Sequence, residues 1–422
     1  MRQSGVEVCR VSRRNSAAEE TWNLYWGARF KDESSFRTLL PTQRVNHFPG
    51  TWLLGRKDNL AKQIRAHQLK PRIKSLAKEF DFVPVSYKIP TDLKLLARDV
   101  RDGHVFIAKP PASACGRGIF LFNNSVPKEL TEPAPRTDEG SASDDETDTE
   151  YLVQRYLPNP LLLNGFKVDL RLYVAVTSFD PLRVYIFNDG LVRFASEPYP
   201  TDPSNLDLGN IFAHLTNYSI NKKSDNYVRT TSAEEDGSGS KWTLHALRRY
   251  FEEHGLNWQA TWANITGTIM KTLVACEDDI CSKLMQATRY RSSCFELYGF
   301  DVMLDDQLKA HLIEVNVMPS LACASALDKH VKGHLVADLL TLAGIPFAGQ
   351  EMALPKQDAN HAYQSVRREK DCFSDPRKYF TTKATAVDKQ MIRDSEDEHA
   401  RCGGFTRMFP NAQAKDGLGK LF

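Results

Sequence analysis

From Gly299 to Leu321 the sequence reads GFDVMLDDQLKAHLIEVNVMPSL, in which two largely apolar runs flank a short polar interval. Each run alternates with the period of two that is typical of a half-buried β-strand. Two strands joined by so short a link are predicted to form a hairpin. With the loop centred on Gln307-Leu308, Asp301 lies opposite Glu314, and Asn316 leaves its strand on the same face as Glu314.

The polar side chains of this hairpin have the chemistry of a magnesium site. Two carboxylates and an amide oxygen, without imidazole or thiolate, are hard ligands of the kind that Mg²⁺ prefers. Mg²⁺ takes few protein oxygens and completes its coordination with water and phosphate. The same pattern also fits a plain hairpin with one solvated face. The choice depends on whether the chain carries groups that bind phosphate.

The composition allows one elaborated enzyme core or two to three domains. The chain has 422 residues, of which 41% are hydrophobic and 10% aromatic, enough to fill a substantial interior. We expect no secretory signal and no membrane-spanning segment, since no apolar run is long enough. The eight cysteines are scattered and lack zinc-ligand partners, which indicates a reducing cytosol.

The net charge of +2 hides an uneven distribution. Residues 131–150 hold eight acids and one arginine, and two stretches are basic: 56–78 has eight Lys/Arg against one acid, and 367–393 has eight against four. Such runs usually form a solvated surface, but a long basic footprint can also bind a polyanion. Because aromatics are sparse there and no nucleic-acid motif is present, we expect an acidic protein surface and no nucleic acid as partner.

The chain divides into four predicted parts. These are an N-terminal domain (1–85), a central lobe (86–190), a C-terminal lobe (191–347) and a basic, partly helical appendage (348–422). Within the central lobe, residues 131–150 are dominated by Ser, Thr, Asp, Glu and Pro and predict a disordered acidic insert. Further predictions are strands at 105–109, 119–122 and 151–156, and helices at 57–68, 242–253 and 258–283.

Lys109 is the first candidate for phosphate binding. It ends an apolar strand and precedes a turn that contains Cys115, Gly116, Arg117 and Gly118. A lysine followed by a glycine-rich turn can place an ammonium and free backbone amides around phosphate oxygens. The turn lacks the Gly-Lys-Ser/Thr of a P-loop, and an ordinary hairpin turn with a surface lysine is the alternative.

A second group of candidates lies on one strand face, where Lys167, Asp169 and Arg171 alternate with apolar residues. Three ionic groups in this pattern are commonly solvent-exposed. Here the strand follows the run 151–157, which is hydrophobic enough to line an adenine pocket.

The next segment predicts a second hairpin. Strands at Arg183–Phe187 and Leu191–Phe194 flank Asn188-Asp189-Gly190, a strong turn signal, and the second strand presents Arg193. The following His214–Ser219 offers polar groups that a structural turn explains equally well.

Five motifs therefore follow one another in a fixed order. They are Lys109-Pro with Gly116-x-Gly118, Gln154-Arg155-Tyr156-Leu157, Lys167-x-Asp169-x-Arg171, His214-Leu-Thr-Asn-Tyr218, and Gly299-Phe-Asp301 with Glu314-Val-Asn316. Over about residues 22–347 this order resembles the tubulin tyrosine ligase-like family. Val45–Gly50 with Gly55–Asp58, and Arg291–Asp301, are most similar to its glutamate-adding branch. Glu398–Arg407 also looks like a family element.

The resemblance implies an α+β fold of ATP-grasp architecture, in which two antiparallel-sheet lobes clasp ATP. Family members use ATP to activate a carboxylate as an acyl phosphate, which the amine of a free amino acid then attacks. The implied activity is an ATP-dependent ligase that adds glutamate to glutamate side chains of tubulin C-terminal tails through an isopeptide bond. Phosphoryl transfer needs positioning and charge neutralisation more than a nucleophilic side chain, so no Ser-His or Cys-His arrangement is required.

The resemblance also implies roles for individual residues. ATP would be held by Lys109, Cys115, Gly116, Arg117, Gly118, Gln154, Arg155, Tyr156, Leu157, Lys167, Val168, Asp169, Thr216 and Asn217. Mg²⁺ would be held by Asp301, Glu314 and Asn316. Arg171 and Arg193 would stabilise the acyl phosphate or bind the carboxylate of the incoming glutamate. Glutamate contacts would come from Arg193, Ser219, Lys241 and Lys332, with a surface role as the alternative for both lysines.

One departure concerns the phosphate turn. Many relatives carry Arg where this chain has Cys115, so either Arg117 serves instead or the turn binds ATP more weakly.

The expected partners are tubulin or microtubules, through their acidic tails, and free L-glutamate, with no membrane. We expect a monomer in the cytoplasm and on the microtubule cytoskeleton, with cilium, flagellum or basal body implied by resemblance alone. The alternatives are a tubulin glycylase or tyrosine ligase of the same family, a catalytically degenerate microtubule-binding protein, and a small-molecule ATP-grasp ligase.

Overall fold

The structure is a computed structural model that describes residues 22–30, 32–70, 74–110, 118–131, 151–202, 205–229, 232, 235–345 and 386–411. α-Helices and mainly antiparallel strands are mixed along these residues, so the predicted α+β class is confirmed. Three predicted features lie wholly or partly outside the described residues: the acidic insert after Thr131, Cys115, Gly116 and Arg117 of the phosphate turn, and the appendage up to residue 385, with most of its basic stretch.

Strands and helices follow one another along the chain without a repeat. The strands are β1 (Leu24–Tyr25), β2 (Arg44–Val45), β3 (Ser86–Ile89), β4 (Phe106–Lys109), β5 (Phe120–Phe122), β6 (Tyr151–Arg155), β7 (Leu162–Leu163), β8 (Phe166–Phe179), β9 (Leu182–Phe194), β10 (Lys241–Thr243), β11 (Glu296–Leu304), β12 (Ala310–Asn316) and β13 (Phe405–Phe409). The helices are α1 (Trp52–Gly55), α2 (Lys57–Gln68), α3 (Leu93–Asp99), α4 (Ile211–His214), α5 (Tyr218–Asn221), α6 (Leu244–Glu253), α7 (Trp258–Ala287), α8 (Ala326–Ala343) and α9 (Ala386–Ala400).

A seven-stranded sheet forms the centre of the fold, in the order β10-β9-β8-β11-β12, with β13 beside β9 and β7 beside β8. The long strand β8 is buried on both faces because its alternate side chains enter two different cores. Leu170 and Leu172 pack in the core that contains Leu273 of α7. Tyr173, the next residue along the strand, packs with Leu335 of α8 on the opposite face. The sheet is therefore covered by helices on both sides.

A smaller sheet, in the order β3-β6-β4-β5, forms a second layer of the fold. Its own core joins Phe106 of β4 and Val153 of β6 to Leu96 of α3. A separate cluster of apolar residues, including Ile107 and Leu215, lies on its other face. Because β4 and β6 are neighbours, Lys109 and Gln154 come from adjacent strands and face the same side of the molecule.

The hairpin predicted from 299–321 is confirmed. Strands β11 and β12 are antiparallel, and Asp301 pairs with Glu314 in the register. The loop turns at Leu308, which has a φ of 60°, and its amide donates to the carbonyl of Asp305 at 2.9 Å. Next to the loop the pairs are Leu304–Ala310 and Val302–Leu312, and a β-bulge between Asp301 and Val302 then shifts the register by one residue, which places Asp301 opposite Glu314.

The hairpin predicted around Asn188-Asp189-Gly190 is wrong. Strand β9 continues from Leu182 to Phe194, and the turn that joins it to β8 lies at Asp180-Pro181. The pairing shifts between Leu172 and Val174, so residues 187–189 form a bulge within β9 and Gly190 resumes the pairing opposite Leu172. Gly190 is required by strand proximity, since a Cβ there would lie 2.7 Å from a β8 carbonyl oxygen.

The predicted helices agree in position and differ at their ends. Lys57–Gln68 is confirmed as α2. The helix predicted to begin at Trp242 begins at Leu244, because the three preceding residues form the edge strand β10. The helix predicted to end at Lys283 continues to Ala287. Within the described residues no helix is both long and apolar enough to cross a membrane.

Part of the segment expected as an appendage packs on the central sheet. Strand β13 pairs with β9, and Phe405 is buried in the core on the α8 side. Glu398 of α9 is also buried and accepts a hydrogen bond from Thr177 Oγ1 of β8 at 2.6 Å. Residues 386–411 therefore contribute to the sheet, whereas 346–385 lie outside the described residues.

Candidate active site

A cavity of about 650 Å³ lies between the two sheets. Of the charged described residues that line it, eight are Lys or Arg and four are Asp or Glu. Its lining contains the following predicted site residues: Lys109, Gln154, Arg155, Tyr156, Leu157, Lys167, Asp169, Arg171, Arg193, Thr216, Asn217, Ser219, Lys241, Asp301, Glu314, Asn316 and Lys332. Val168 is the exception on β8, because it alternates with Lys167 and Asp169 and its side chain enters the hydrophobic core. Gly118 is not part of the lining either.

Two lysines mark one end of this cavity. Lys109 ends β4 and Lys167 lies near the start of β8, and both side chains are buried, which excludes the surface role considered for Lys109. Lys109 Nζ donates to Gln154 Oε1, and Gln154 Nε2 in turn donates to Ser86 Oγ at 2.9 Å. Burial lowers the pKa of Lys109 to about 8 and that of Lys167 to about 7. An anion in the cavity would therefore restore the charge of both ammoniums.

Lys167 is held by a directed chain of hydrogen bonds. Its Nζ donates to Tyr156 Oη at 2.7 Å and lies 4.2 Å from the centre of the same ring. Tyr156 Oη is 2.8 Å from His214 Nδ1, and His214 Nε2 is 2.9 Å from the carbonyl oxygen of Asp207. Since a carbonyl can only accept, Nε2 carries the proton and Nδ1 accepts from the tyrosine. Burial lowers the pKa of His214, which favours this neutral form.

The middle of the cavity contains two arginines and two aspartates in one network. Arg193 pairs with Asp169 across β9 and β8, and Arg171 pairs with Asp301 across β8 and β11, so all four side chains share a sheet face. Arg193 Nε donates to Asp169 Oδ1 at 2.7 Å, and its Nη2 donates to Asp301 Oδ2 at 2.8 Å. Arg171 Nη2 donates to the same Oδ2 at 3.0 Å. Burial would raise the pKa of Asp301, but Arg171 and then Arg193 hold it well below its usual range.

The predicted metal ligands lie beside this network. Glu314 Oε2 is 2.9 Å from Lys57 Nζ, and Asn316 Nδ2 donates to Glu314 Oε1 at 3.1 Å. Together with Asp301 they offer two carboxylates and an amide oxygen to the cavity, a donor set that fits Mg²⁺. The described residues contain no group of three or more His, Cys, Asp or Glu that could hold a metal by themselves. Water and phosphate oxygens would have to complete the coordination.

The other end of the cavity contains Lys241 and Lys332, which share one carboxylate. Lys241 Nζ donates to Asp328 Oδ2 at 2.7 Å, and Lys332 Nζ is 3.1 Å from Asp328 Oδ1. All three are less than a tenth exposed, so the surface role considered for the lysines is wrong. Lys241 is also the cross-strand partner of Arg193, which places this cluster beside the arginine network.

The sequence did not point to two charged residues of this cavity, Asp328 and Lys57. Asp328 could have been found from the pattern Ser325-x-x-Asp328 at the start of α8 and from its i,i+4 spacing to Lys332. Lys57 belongs to a motif and a basic stretch of the sequence, but its position at the cavity follows only from the fold, in which the start of α2 brings it to Glu314 of β12.

Two antiparallel sheets with a basic cavity between them agree with an ATP-grasp-like fold. Comparison with known protein families identifies the family: the sequence model of the Tubulin-tyrosine ligase family matches residues 36–352. Because the match covers well over half of the sequence, the chain belongs to this family. The resemblance recognised from the ordered motifs is confirmed.

Curated relatives place the chain near glutamate-adding members of the family. It is 37% identical to the human tubulin monoglutamylase TTLL4 over 95% of this chain and 33% of that protein. It is 34% identical to the mouse tubulin polyglutamylase TTLL5 over 93% of this chain and 30% of that protein. It is 37% identical to the tubulin polyglutamylase ttll-4 of Caenorhabditis briggsae over 92% of this chain and 63% of that protein. The chain thus spans about a third of these mammalian relatives.

Proposed function

We propose that this chain is the catalytic core of an ATP-dependent ligase that adds glutamate to glutamate side chains of tubulin C-terminal tails. The observation that carries the proposal is the order of groups along one cavity: buried lysines, an oxygen-bearing hairpin, paired arginines, and a second lysine cluster. The names of the relatives, all of them tubulin glutamylases, support the donor and the acceptor.

The triphosphate of ATP fits the end with Lys109 and Lys167. Both lysines are buried and face neutral hydrogen-bond partners, so a polyanion supplies the negative charge that keeps them protonated. The adjacent wall along Gln154–Leu157 includes apolar side chains suited to an adenine ring. Cys115, Gly116 and Arg117 remain predicted contacts of the phosphates.

Magnesium fits the hairpin between the two ends. Asp301, Glu314 and Asn316 would hold it, and when bound it would neutralise charge on the transferring phosphoryl group. Lys57, which pairs with Glu314, would be free to turn to a phosphate oxygen when the carboxylate binds the metal.

The proposed reaction has two steps. The acceptor carboxylate attacks the terminal phosphorus of ATP, which releases ADP and leaves an acyl phosphate. The amine of free glutamate then attacks the acyl carbon, loses a proton and releases inorganic phosphate. Arg171 and Arg193 are placed to stabilise the developing negative charge, because their forked donors already converge on one carboxylate oxygen.

The test is incorporation of radiolabelled amino acids into microtubules. Glutamate, glycine and tyrosine are supplied separately with ATP and Mg²⁺, and microtubules whose acidic tails have been removed are the control. We expect incorporation of glutamate that requires ATP, Mg²⁺ and intact tails. Incorporation of glycine or tyrosine instead would assign one of the alternative activities, and nucleotide-independent binding without incorporation would indicate a degenerate enzyme.

A second experiment tests the metal assignment alone. Glu314→Ala should abolish incorporation, and Glu314→Gln should raise the Mg²⁺ concentration needed for half-maximal rate. Robust incorporation by the alanine variant would contradict the role of Glu314. Asp278→Asn, an exposed change on α7, serves as the matched control.

We propose that the reaction takes place on cytoplasmic microtubules. A narrower proposal is that it takes place on tubulin tails at cilia or basal bodies.

A further inference from the structure

We infer that Asp328 is a positioning residue that aligns Lys241 and Lys332 as the receptor for a carboxylate of the donor amino acid. The inference rests on the proposed function and adds to it the residue that determines how the donor is held. Neither the sequence motifs nor the named relatives assign a role to Asp328.

The first support is the geometry of the cluster. Lys241 comes from the edge strand β10 and Lys332 from the second turn of α8, yet both ammoniums contact one carboxylate. Lys241 Nζ donates to Oδ2 at 2.7 Å, and Lys332 Nζ lies 3.1 Å from Oδ1 in an ion pair. A single planar group therefore fixes their separation. Two ammoniums held side by side at a cavity wall match the two oxygens of an incoming carboxylate.

The second support is the rigidity of Asp328 itself. Its Oδ2 accepts from the backbone amide of Ala324 at 3.2 Å and from Ser325 Oγ at 3.1 Å, and Ser325 caps the helix by accepting from the Asp328 amide. Lys332 Nζ also donates to the carbonyl of Ala322 at 2.6 Å. The start of α8 thus forms a fixed frame for the lysine pair.

The third support is the way in which the two neighbouring clusters are paired. In the arginine network two arginines face two aspartates, Asp169 and Asp301. In the lysine cluster both ammoniums contact the carboxylate of Asp328. A donor carboxylate can therefore join the lysine pair without displacing an aspartate from the arginines, which leaves the arginines for the reacting end of the acceptor.

Removing the charge of Asp328 has a predictable consequence. Burial lowers the pKa of Lys241, and Asp328 opposes this, so loss of the carboxylate would lower that pKa further. The charged and titratable groups that face the pair are Asp328 on α8, Arg193 on β9, Tyr173 on β8, Tyr218 on α5, and Tyr227 and Arg229 in the segment before β10. Of the groups named here, Asp328 is the one carboxylate.

The experiment measures KM for glutamate and KM for ATP as functions of pH in the unaltered chain and in Asp328→Asn. We expect KM for glutamate to rise about tenfold in the variant, the size of one hydrogen bond to a charged group. The rise should be larger at high pH than at low pH, because Lys241 loses its proton more readily without Asp328 beside it. KM for ATP should stay within about twofold. Asp328→Glu, which keeps the charge, should restore most of the lost affinity.

The matched control is Asp278→Asn. Asp278 pairs with Lys70 at 2.8 Å on the exposed surface of α7, so the same substitution removes a lysine partner away from the cavity. It should change neither KM. If Asp328→Asn fails to fold, as a thermal melt would show, Lys332→Gln replaces it and should also raise KM for glutamate selectively.

The outcomes separate the two proposals. If the unaltered chain incorporates glutamate but the pH profiles of Asp328→Asn and the unaltered chain superimpose, or Lys332→Gln leaves KM for glutamate unchanged, Asp328 has no positioning role. An equal loss in kcat at every pH with unchanged KM would indicate a structural role and also overturn the inference. No incorporation by the unaltered chain would overturn the proposed function and, with it, this assignment.

Discussion

The two arginines in the middle of the cavity and the two lysines at its ATP end are all buried cations, yet their surroundings differ. Arg171 and Arg193 bind Asp301 and Asp169. These carboxylates keep the pKa of both arginines above the usual value, although burial acts to lower it. Lys109 and Lys167 donate to a glutamine and a tyrosine, and burial lowers their pKa. The arginines are thus ion-paired with carboxylates of the fold, whereas among the described residues Lys109 and Lys167 donate to neutral groups and feel carboxylates at longer range, so a bound anion would supply their direct counter-ion.

This difference predicts opposite results when the two kinds of cation are removed. Loss of an arginine leaves a buried carboxylate without its partner, which destabilises the fold. Loss of a lysine that faces neutral partners removes an unfavourable desolvation and weakens ligand binding instead. Substitutions at these cations test the distinction, from the largest expected effect to the smallest.

Arg193→Gln should lower the free energy of unfolding by about 3–5 kcal/mol, because Asp169 and Asp301 both lose a buried partner. Urea denaturation monitored by circular dichroism measures this change. Arg248→Gln is the control, since its pair with Glu252 is exposed on α6 and should contribute less than about 0.5 kcal/mol. A loss below about 1 kcal/mol in Arg193→Gln would show that the network does not stabilise the fold through its buried ion pairs.

Lys167→Met should leave the free energy of unfolding within about 1 kcal/mol of the unaltered value and weaken ATP binding about 10- to 150-fold. The second figure corresponds to one hydrogen bond to a charged group. Equilibrium titration with a non-hydrolysable ATP analogue gives the affinity, and Lys62→Met, an exposed change on α2, is the control. Strong destabilisation without loss of affinity would reverse the distinction between lysines and arginines.

Binding of the same analogue should take up about one proton at pH 8, because Lys167 and part of Lys109 are neutral in the free protein and charged in the complex. Calorimetry in two buffers of different protonation enthalpy measures the uptake, and Lys167→Met should reduce it. The folded-state pKa lies below the unfolded value, so the unfolded chain binds more protons between them. The unliganded protein should accordingly gain stability as the pH rises from about 7 to 10. Absence of proton uptake would mean that both lysines are already charged.

The hairpin 299–321 was predictable from sequence because everything that determines it is local. Alternation gives the two strands and the short polar loop joins them, while the β-bulge between Asp301 and Val302, which the alternation does not show, completes the register that pairs Asp301 with Glu314. The Asn188-Asp189-Gly190 prediction failed because its residues fit a turn and a bulge equally well. The structure uses the bulge, in which Asp189 accepts from the amide of Leu244 on a distant helix.

The lysine cluster shows the limit of sequence reasoning about the site. The family resemblance predicts Lys241 and Lys332 as glutamate contacts, but it does not predict Asp328, which lies between them. Lys241 and Asp328 are 87 positions apart, and only the placement of β10 against the start of α8 brings them together. Pair contacts of this kind depend on packing between distant segments, which no local pattern records.

The smallest effect is expected at Arg155, the cation on the cavity wall whose side chain is about a third exposed. It pairs with Asp99 through Nε at 2.8 Å, and this pair is open to solvent on the arginine side. Arg155→Gln should therefore cost less than about 1 kcal/mol in unfolding free energy, since screening and side-chain entropy offset most of the attraction. ATP affinity should change less than about threefold, because water can replace the lost contacts. A loss as large as that of Arg193→Gln would show that burial does not separate the two arginines, and that the geometry of their carboxylate partners determines what each contributes.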